Sequence, residues 1–457
     1  METTSFSTRQ SRFWAWLCIG AIFANFLLDT MIAPALPAMG TTLGISDSQL
    51  GFVFTCGLLS SAIALPLGGR IADIWDKRLV LIGILALSLL GSACAALATS
   101  FAAAALGQAL LGAGAILLPL GVVITANSGD GEKSTAMVFV SSGVSALAGL
   151  VIGGYLLDHY PYQSLFWMVF ALNLVLLVIA VATVVISRKV QLRRTTDAKL
   201  DVAGGILLGG ALALLLYSTS LIGRHGLMSV SVGLPLATSF GLAVFWWRSA
   251  LQTASPLIDP RQLLDPTVAR FSLIQLATGF NATAVMVAIP MIVTTGIADG
   301  GLGMSEAISS YVFIPSSIVL FVAPMATLPL RGKIGAGGVV VTGSALIAIG
   351  TALLIITHSI PSIIAATVLG SVGLGLLLTQ TFDLLAVWID ADRVASVSGF
   401  ILVLKIAGAA LGGQFAATMM ELLPPARGFT FAMVIATLMI CISIPASLRL
   451  GRRANPA

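Results

Sequence analysis

Residues 13–38 read FWAWLCIGAIFANFLLDTMIAPALPA, an apolar run whose one formal charge is Asp29. A helix needs about 20 such residues to cross the roughly 30 Å hydrocarbon core of a bilayer, and this run supplies them. It is too long for the apolar segment of a cleaved signal peptide, which runs to about 15 residues, and it continues through Asp29 and two prolines towards another apolar run. Outward from this stretch the pattern repeats to the end of the chain. Fourteen stretches of spanning length cover residues 13–38, 48–69, 79–98, 102–126, 134–158, 163–187, 202–223, 228–248, 268–297, 304–330, 338–357, 360–388, 396–421 and 428–449.

The composition agrees. Of 457 residues, 23 are Lys or Arg and 18 Asp or Glu, so 9% are charged and 58% hydrophobic, against roughly a quarter charged in soluble domains. Lipid is therefore the main solvent, and a disordered chain is excluded because disorder requires low hydrophobicity. The net charge of +5 is not gathered on a soluble basic face, so no nucleic-acid partner is expected. Cys18, Cys56, Cys94 and Cys441 fall in separate apolar stretches and read as small buried hydrophobes, without disulfide or metal-ligand spacing.

An even number of spans puts both termini on one side, and the basic residues select it. Twenty Lys and Arg lie in the terminal segments and even-to-odd loops, only Arg224 and Arg427 in the opposite loops, and Lys405 inside a span. The positive-inside rule thus places both termini in the cytoplasm. Two polar linkers, RKVQLRRTTDAKLD (188–201) and ASPLIDPRQLLDP (254–266), divide the spans into six, two and six. The expected architecture is an all-α membrane protein of 14 transmembrane helices. Residues 1–187 form an N-terminal six-helix bundle, 188–266 a linker with two additional helices, and 267–457 a C-terminal six-helix bundle and tail.

An internal repeat supports this division. The fifth span contains GLVIGG (Gly149, Gly153, Gly154) and the thirteenth GAALGG (Gly408, Gly412, Gly413), at the same place in each six-span half. Small residues at this spacing let two helix backbones approach closely, and duplicated halves around a midplane site are a pattern of secondary transporters.

No enzyme signature is present: HExxH, GxSxG, the phosphate-binding GxxxxGK[ST] and CxxC are all absent. His159, His225 and His358 read as solvated loop residues. The residues that need a reason are the midspan charges Asp29, Asp383 and Lys405, because each costs at least ~2.5 kcal/mol to insert. Asp29 lies about 24 Å along its span. Asn25, four residues earlier, shares its helix face, and a carboxyl group there suits proton exchange because desolvation disfavours its anion. Asp383 and Lys405 lie at similar depths, about 10 and 13 Å, and read either as a neutralising pair or as a relay. Gln108, Gln275, Asn281, Gln380 and Gln414 are uncharged midspan candidates for contacts to a ligand or between helices.

These residues resemble the major facilitator superfamily, and within it the fourteen-span drug:proton antiporters. The loop GGRIADIWDKR is similar to the family's signature loop, matching at Gly69, Asp73, Lys77 and Arg78, with Arg70 beside them; Ile74 and Asp76 depart from the pattern. LDTMIAPALP is similar to the branch's first-span motif at Leu28, Asp29, Ala35, Leu36 and Pro37. The resemblance implies a conformational switch at the loop and protonation or cation recognition at Asp29. Two departures stand against it: Gln108 occupies the place of an arginine often found in proton-driven relatives, and Leu150 replaces the proline of the antiporter motif. The expectation is a multi-pass monomer in the bacterial inner membrane, exporting small amphipathic compounds against protons by alternating access, with no cofactor and no metal. Uptake symport or facilitation is the nearest alternative, and a non-transporting receptor or scaffold a distant one.

Overall fold

The computed structural model describes residues 8–126, 131–187, 201–226, 228–253, 256, 260–389 and 391–454. Hydrocarbon offers no water to backbone N–H and C=O groups, so a spanning segment must close its hydrogen bonds internally. The described residues accordingly form helices and no strand. In chain order these are α1 (Thr8–Leu43), α2 (Asp47–Ile74), α3 (Lys77–Ala96), α4 (Phe101–Gly112), α5 (Leu117–Ala126), α6 (Gly131–His159) and α7 (Gln163–Ser187). There follow α8 (Val202–Ser220), α9 (Ile222–His225), α10 (Val230–Gln252), α11 (Pro266–Thr294), α12 (Glu306–Tyr311) and α13 (Ile314–Val322). The last four are α14 (Thr327–Ile356), α15 (Ile360–Trp388), α16 (Ala391–Leu422) and α17 (Pro425–Ala454). Polar turn residues satisfy the helix starts: Asp76, Ser100, Asp201, Ser229 and Asp265 each accept a backbone N–H of the helix that follows.

Two spans are less regular than the sequence pattern implies. α4 and α5 form one pass with a tight 3-10 turn between them, at Ala113–Ile116. There Gly112 lies so close to α2 that a Cβ would fall on the Gly57 carbonyl oxygen, while the Ser61 hydroxyl donates to the Gly112 carbonyl at 2.9 Å. In the second case α12, α13 and the start of α14 form one pass interrupted at Ala323–Ala326, where Pro324 has no amide hydrogen to continue the ladder.

Among the described residues 13 helices are long and apolar enough to span, one of them the 51-residue run Glu306–Ile356. At 1.5 Å per residue that run would measure about 76 Å, more than twice the bilayer core. It divides at Gly335, whose φ of 74° and ψ of 165° leave the helical region and suit glycine alone. The passes therefore number fourteen, and Thr8 and Ala454 lie at the same face, here termed the terminal face. The turns at 44–46, 160–162, 295–305 and 423–424 lie at the far face.

α1 to α7 pack as one bundle and α11 to α17 as another, while α8 and α10 pair with each other and α8 lies against α2 and α16. Val178, Val185, Leu234 and Phe240 are exposed on the outward faces of α7 and α10, as lipid contact requires. Cys18 is buried, but Cys441 is exposed, so the small-hydrophobe reading of the cysteines does not extend to burial of all four.

The buried core forks. In the far half one apolar cluster joins both bundles, taking Leu27 to Met39 of α1 and Leu50 to Phe54 of α2 together with Phe280 to Val293 of α11 and Ala416 to Met420 of α16. In the terminal half it separates. One branch holds Trp14 to Ile22, Leu81 and Leu117 of the first bundle; the other holds Val268 to Ala277, Leu377 and Ile401 of the second, joined by Ala62 of α2. The bundles are thus joined through the far half and part towards the terminal face, leaving a cleft between them there.

The glycine repeat explains how the far half closes. Within each bundle the first two glycines seat the helix on a parallel neighbour: Gly149 and Gly153 lie against Leu27 and Met31 of α1, and Gly408 and Gly412 against the carbonyls of Leu276 and Phe280 of α11. The third glycine differs between the halves: Gly154 lies beneath the Tyr311 ring of α12 in the other bundle, whereas Gly413 lies first against Thr283 of its own bundle's α11 and next against Thr55 of α2. Gly412→Val is expected to lower the thermal midpoint of the purified protein by several degrees, because overpacking costs about 1–3 kcal/mol. Gly370→Ala, where a Cβ meets open space, is the matched control and is expected to leave it unchanged in the same thermal shift measurement.

Candidate functional site

Asp29 sits on α1 near the inner edge of the shared far-half core, between Leu28 and Met31 and about two turns beyond Ile22 of the terminal branch. Its neighbours Leu27, Leu28 and Met31 are buried, whereas Asp29 itself is exposed. Its carboxylate therefore faces the cleft, and among the described residues it makes no hydrogen bond or ion pair.

Asn25 does not reach Asp29, despite their shared face. Its amide donates to the Ala21 carbonyl at 2.8 Å and to Asn173 Oδ1 of α7 at 3.2 Å. Four residues advance the helix by about 40° beyond a full turn, enough to turn Asn25 into the α1–α7 groove and leave Asp29 in the cleft. Asn173 was not singled out by the sequence reading, although a lone amide in the apolar run ALNLVLL carries the same signal as the chosen glutamines.

Asp383 and Lys405 are not paired with each other. Asp383 faces Arg331, Oδ2 to Nη1 at 3.9 Å, with the side chains 47% and 39% exposed respectively. Lys405 is half-buried and makes no hydrogen bond or ion pair among the described residues. Equal depth along two helices does not fix which way each side chain points, and the end of the tenth span brings Arg331 to the acid instead.

The uncharged candidates divide into tied and open groups. Asn281 is tied: its amide donates to Thr351 Oγ1 at 2.9 Å and to the Ala436 carbonyl at 3.1 Å, joining α11, α14 and α17. Gln275 donates to Thr381 Oγ1 at 3.0 Å, but its Oε1 has no partner. Gln380 is fully buried with neither amide atom paired, and Gln108 is buried with Nε2 unpaired. Asn25, Gln108, Gln275 and Gln380 all lie near the level at which the core divides.

Gln414 belongs elsewhere. Its Nε2 donates to the Ser48 carbonyl at 2.9 Å across the bundle boundary. Glu421, one helical turn or two farther along α16, accepts the Ser48 backbone N–H at 2.9 Å and also the Ser48 hydroxyl. It thereby caps the positive start of α2 from the opposite bundle. Ser310 donates to the Leu150 carbonyl at 2.8 Å in the counterpart contact between α12 and α6. A separate crevice of about 330 Å³, lined by Asp47, Thr294 and Thr295, opens at this far end, away from Asp29. Sequence reasoning missed Glu421 because an acid at a span end resembles any solvated terminus.

In the signature loop, Asp76, where the family pattern has glycine, caps α3 through the Arg78 N–H at 2.9 Å and holds the Arg78 guanidinium at 2.8 Å. That guanidinium also lies over the Trp14 ring, 6.0 Å from its centre. The side chains of Gly69, Arg70 and Asp73 lie outside the described residues, as do the surroundings that a switch role for them with Lys77 would need. Of the histidines, His159 and His225 are exposed. His358 instead packs edge-on against Phe429 at 4.9 Å, and burial holds its pKa below the usual histidine value.

Two helical bundles joined through one half and parted by a polar-lined cleft in the other define a membrane transporter. The family model of the Major Facilitator Superfamily matches residues 18–258, and the chain belongs to that superfamily, whose members are transporters rather than enzymes. It is 30% identical over 340 residues to the cephamycin export protein CmcT of Amycolatopsis lactamdurans, covering 72% of this chain and 68% of that one. It is 27% identical over 359 residues to a uridine/deoxyuridine transporter of Lactococcus lactis subsp. cremoris, covering 75% and 72%. A solved structure of the peptide transporter POT in complex with sulfate matches in fold with a TM-score of 0.67 at 15% identity, over 98% of this chain and 99% of the other.

The Ser48–Glu421 contact generates a prediction. Glu421→Ala removes the acceptor for two donors across the bundle boundary, worth about 1.5–3 kcal/mol for a charged acceptor. Spin labels placed at 44 and 423 in a cysteine-free background, measured by double electron–electron resonance, are expected to show a larger population of long distances than in the parent protein.

Proposed function

We propose that this chain exports small amphipathic compounds in exchange for protons, with both termini in the cytoplasm of a bacterial cell and the helices in its inner membrane. The basic residues of the terminal face support that orientation, which makes the cleft open to the cytoplasm. A single chain carries both bundles and the whole cleft, so the monomer is the transporting unit.

The observation that carries the reading is the unpartnered Asp29 carboxylate at the apex of the cleft. A carboxylate exposed to the cytoplasm releases its proton there, and a cationic or dipolar compound can take the proton's place. Rocking of the bundles then exposes the same group to the outside, where protonation displaces the cargo and returns the carrier. Asp383 and Lys405 form a second polar set on the facing bundle, and the similarity to an export protein supports the outward direction. Uptake is the second reading, favoured by the similarity to a uridine/deoxyuridine transporter, and proton direction separates the two.

The test uses proteoliposomes with an imposed pH gradient and ethidium as the transported probe, with proton movement followed by a trapped pH dye. Exchange is expected, with ethidium and protons crossing in opposite directions; movement in the same direction would establish symport. Asp29→Asn is expected to slow gradient-driven transport at least about tenfold, as removal of a group made for proton transfer should. Undiminished proton flux in that variant removes Asp29 from the mechanism.

A further inference from the structure

An ammonium group inside a membrane is ordinarily paired, because an isolated charge is costly wherever water is scarce. In the second bundle the nearby acid is already engaged, since Asp383 faces Arg331. Lys405 is left with no protein partner among the described residues, yet it is half-buried rather than fully enclosed. Of the charges Arg331, Asp383 and Lys405, one positive charge is therefore uncompensated.

Polar groups at the same level are open as well. Gly279 of α11 rests against the Lys405 carbonyl, and Gln275, one turn earlier, bonds Thr381 while its own Oε1 is unpaired. Gln380, next to Thr381, is fully buried with both amide atoms unpaired. The second bundle thus offers a cation, with unsatisfied amides buried behind it, while the first bundle offers the acid Asp29 and no base in its midspan.

We infer that the preferred cargo is dipolar and bears a carboxylate, and that Lys405 binds that group on the second bundle's wall of the cleft. The inference rests on the transport reading above and deepens it by naming the substrate class. Alternating access passes through a state closed at both faces, in which a bare ammonium loses the water that now reaches it. A neutral cargo would leave Lys405 uncompensated in that state, whereas a carboxylate neutralises it with a charge-assisted hydrogen bond. The lysine stem is flexible and its three donors rotate, so cargoes of different shape can present the same acidic group. Asp29 repels an anion from the first wall, which fixes the orientation of the cargo.

The experiment is fluorescence binding of dansylphenylalanine and its methyl ester to the full-length transporter in nanodiscs. The two probes share one apolar body and differ in the carboxylate. The acid is expected to bind about tenfold or more tightly than the ester, the range of a charged hydrogen bond. Lys405→Met is expected to abolish that preference by weakening the acid alone, while Lys405→Arg and Asp383→Asn keep it. Removing an unpaired charge does not threaten folding, and the arginine variant controls for shape. Equal binding of the two probes, binding of neither, or a preference that survives Lys405→Met overturns the inference. Ethidium exchange for protons with no acid preference would leave the efflux reading standing while removing this one; an acid preference without proton-linked transport would do the reverse.

Discussion

The far-half core that joins the two bundles is the constraint on which the rest of the structure depends. It is apolar, continuous from α1 and α2 to α11 and α16, and tied at its edge by Ser48, Gln414 and Glu421. Because apolar packing in lipid gains little from the hydrophobic effect, such a contact relies on close van der Waals fit and on hydrogen bonds between helices. The glycines supply the fit and Glu421 the strongest bond. A seam of this kind can be opened without unfolding either bundle, since each keeps its own core in the terminal half.

The position of the polar residues follows from that division. Above the fork, Asn281 and the Nε2 of Gln414 meet partners in neighbouring helices, and those bonds hold helices together, while Gln414 Oε1 is unpaired among the described residues. At and below it, Asp29, Lys405, Gln380 and one end of Gln275 have no protein partner among the described residues. Of these, Asp29 and Lys405 are accessible, whereas the Gln275 and Gln380 amides stay unsatisfied inside the second bundle.

Much of the fold was legible in one dimension. The apolar runs fixed the number of passes, including the pair that meets at Gly335 across the short basic connection of Arg331 and Lys333, because length in a membrane is set by bilayer thickness. The repeated glycines were legible too, with GLVIGG and GAALGG occupying equivalent places in the two bundles. The candidate site was legible only as a set of residues. Which charge meets which depends on helix rotation and tilt, so the engagement of Asp383 by Arg331 and the isolation of Lys405 had no sequence signal. The 3-10 turn at Ala113–Ile116 was equally hidden, since it arises from the approach of Gly112 to α2 and not from any local breaker.

The glycine contacts between the bundles carry a mechanical consequence. Gly154 of α6 bears on Tyr311 of α12, and where α2 meets α16 it is Gly51 that bears on Ala417, with Gly413 beside Thr55, so the two bundles touch through two close contacts on different helix pairs. Such contacts act as paired bearings. Parting the bundles in the far half would have to break both contacts, because each joins a helix of one bundle to a helix of the other.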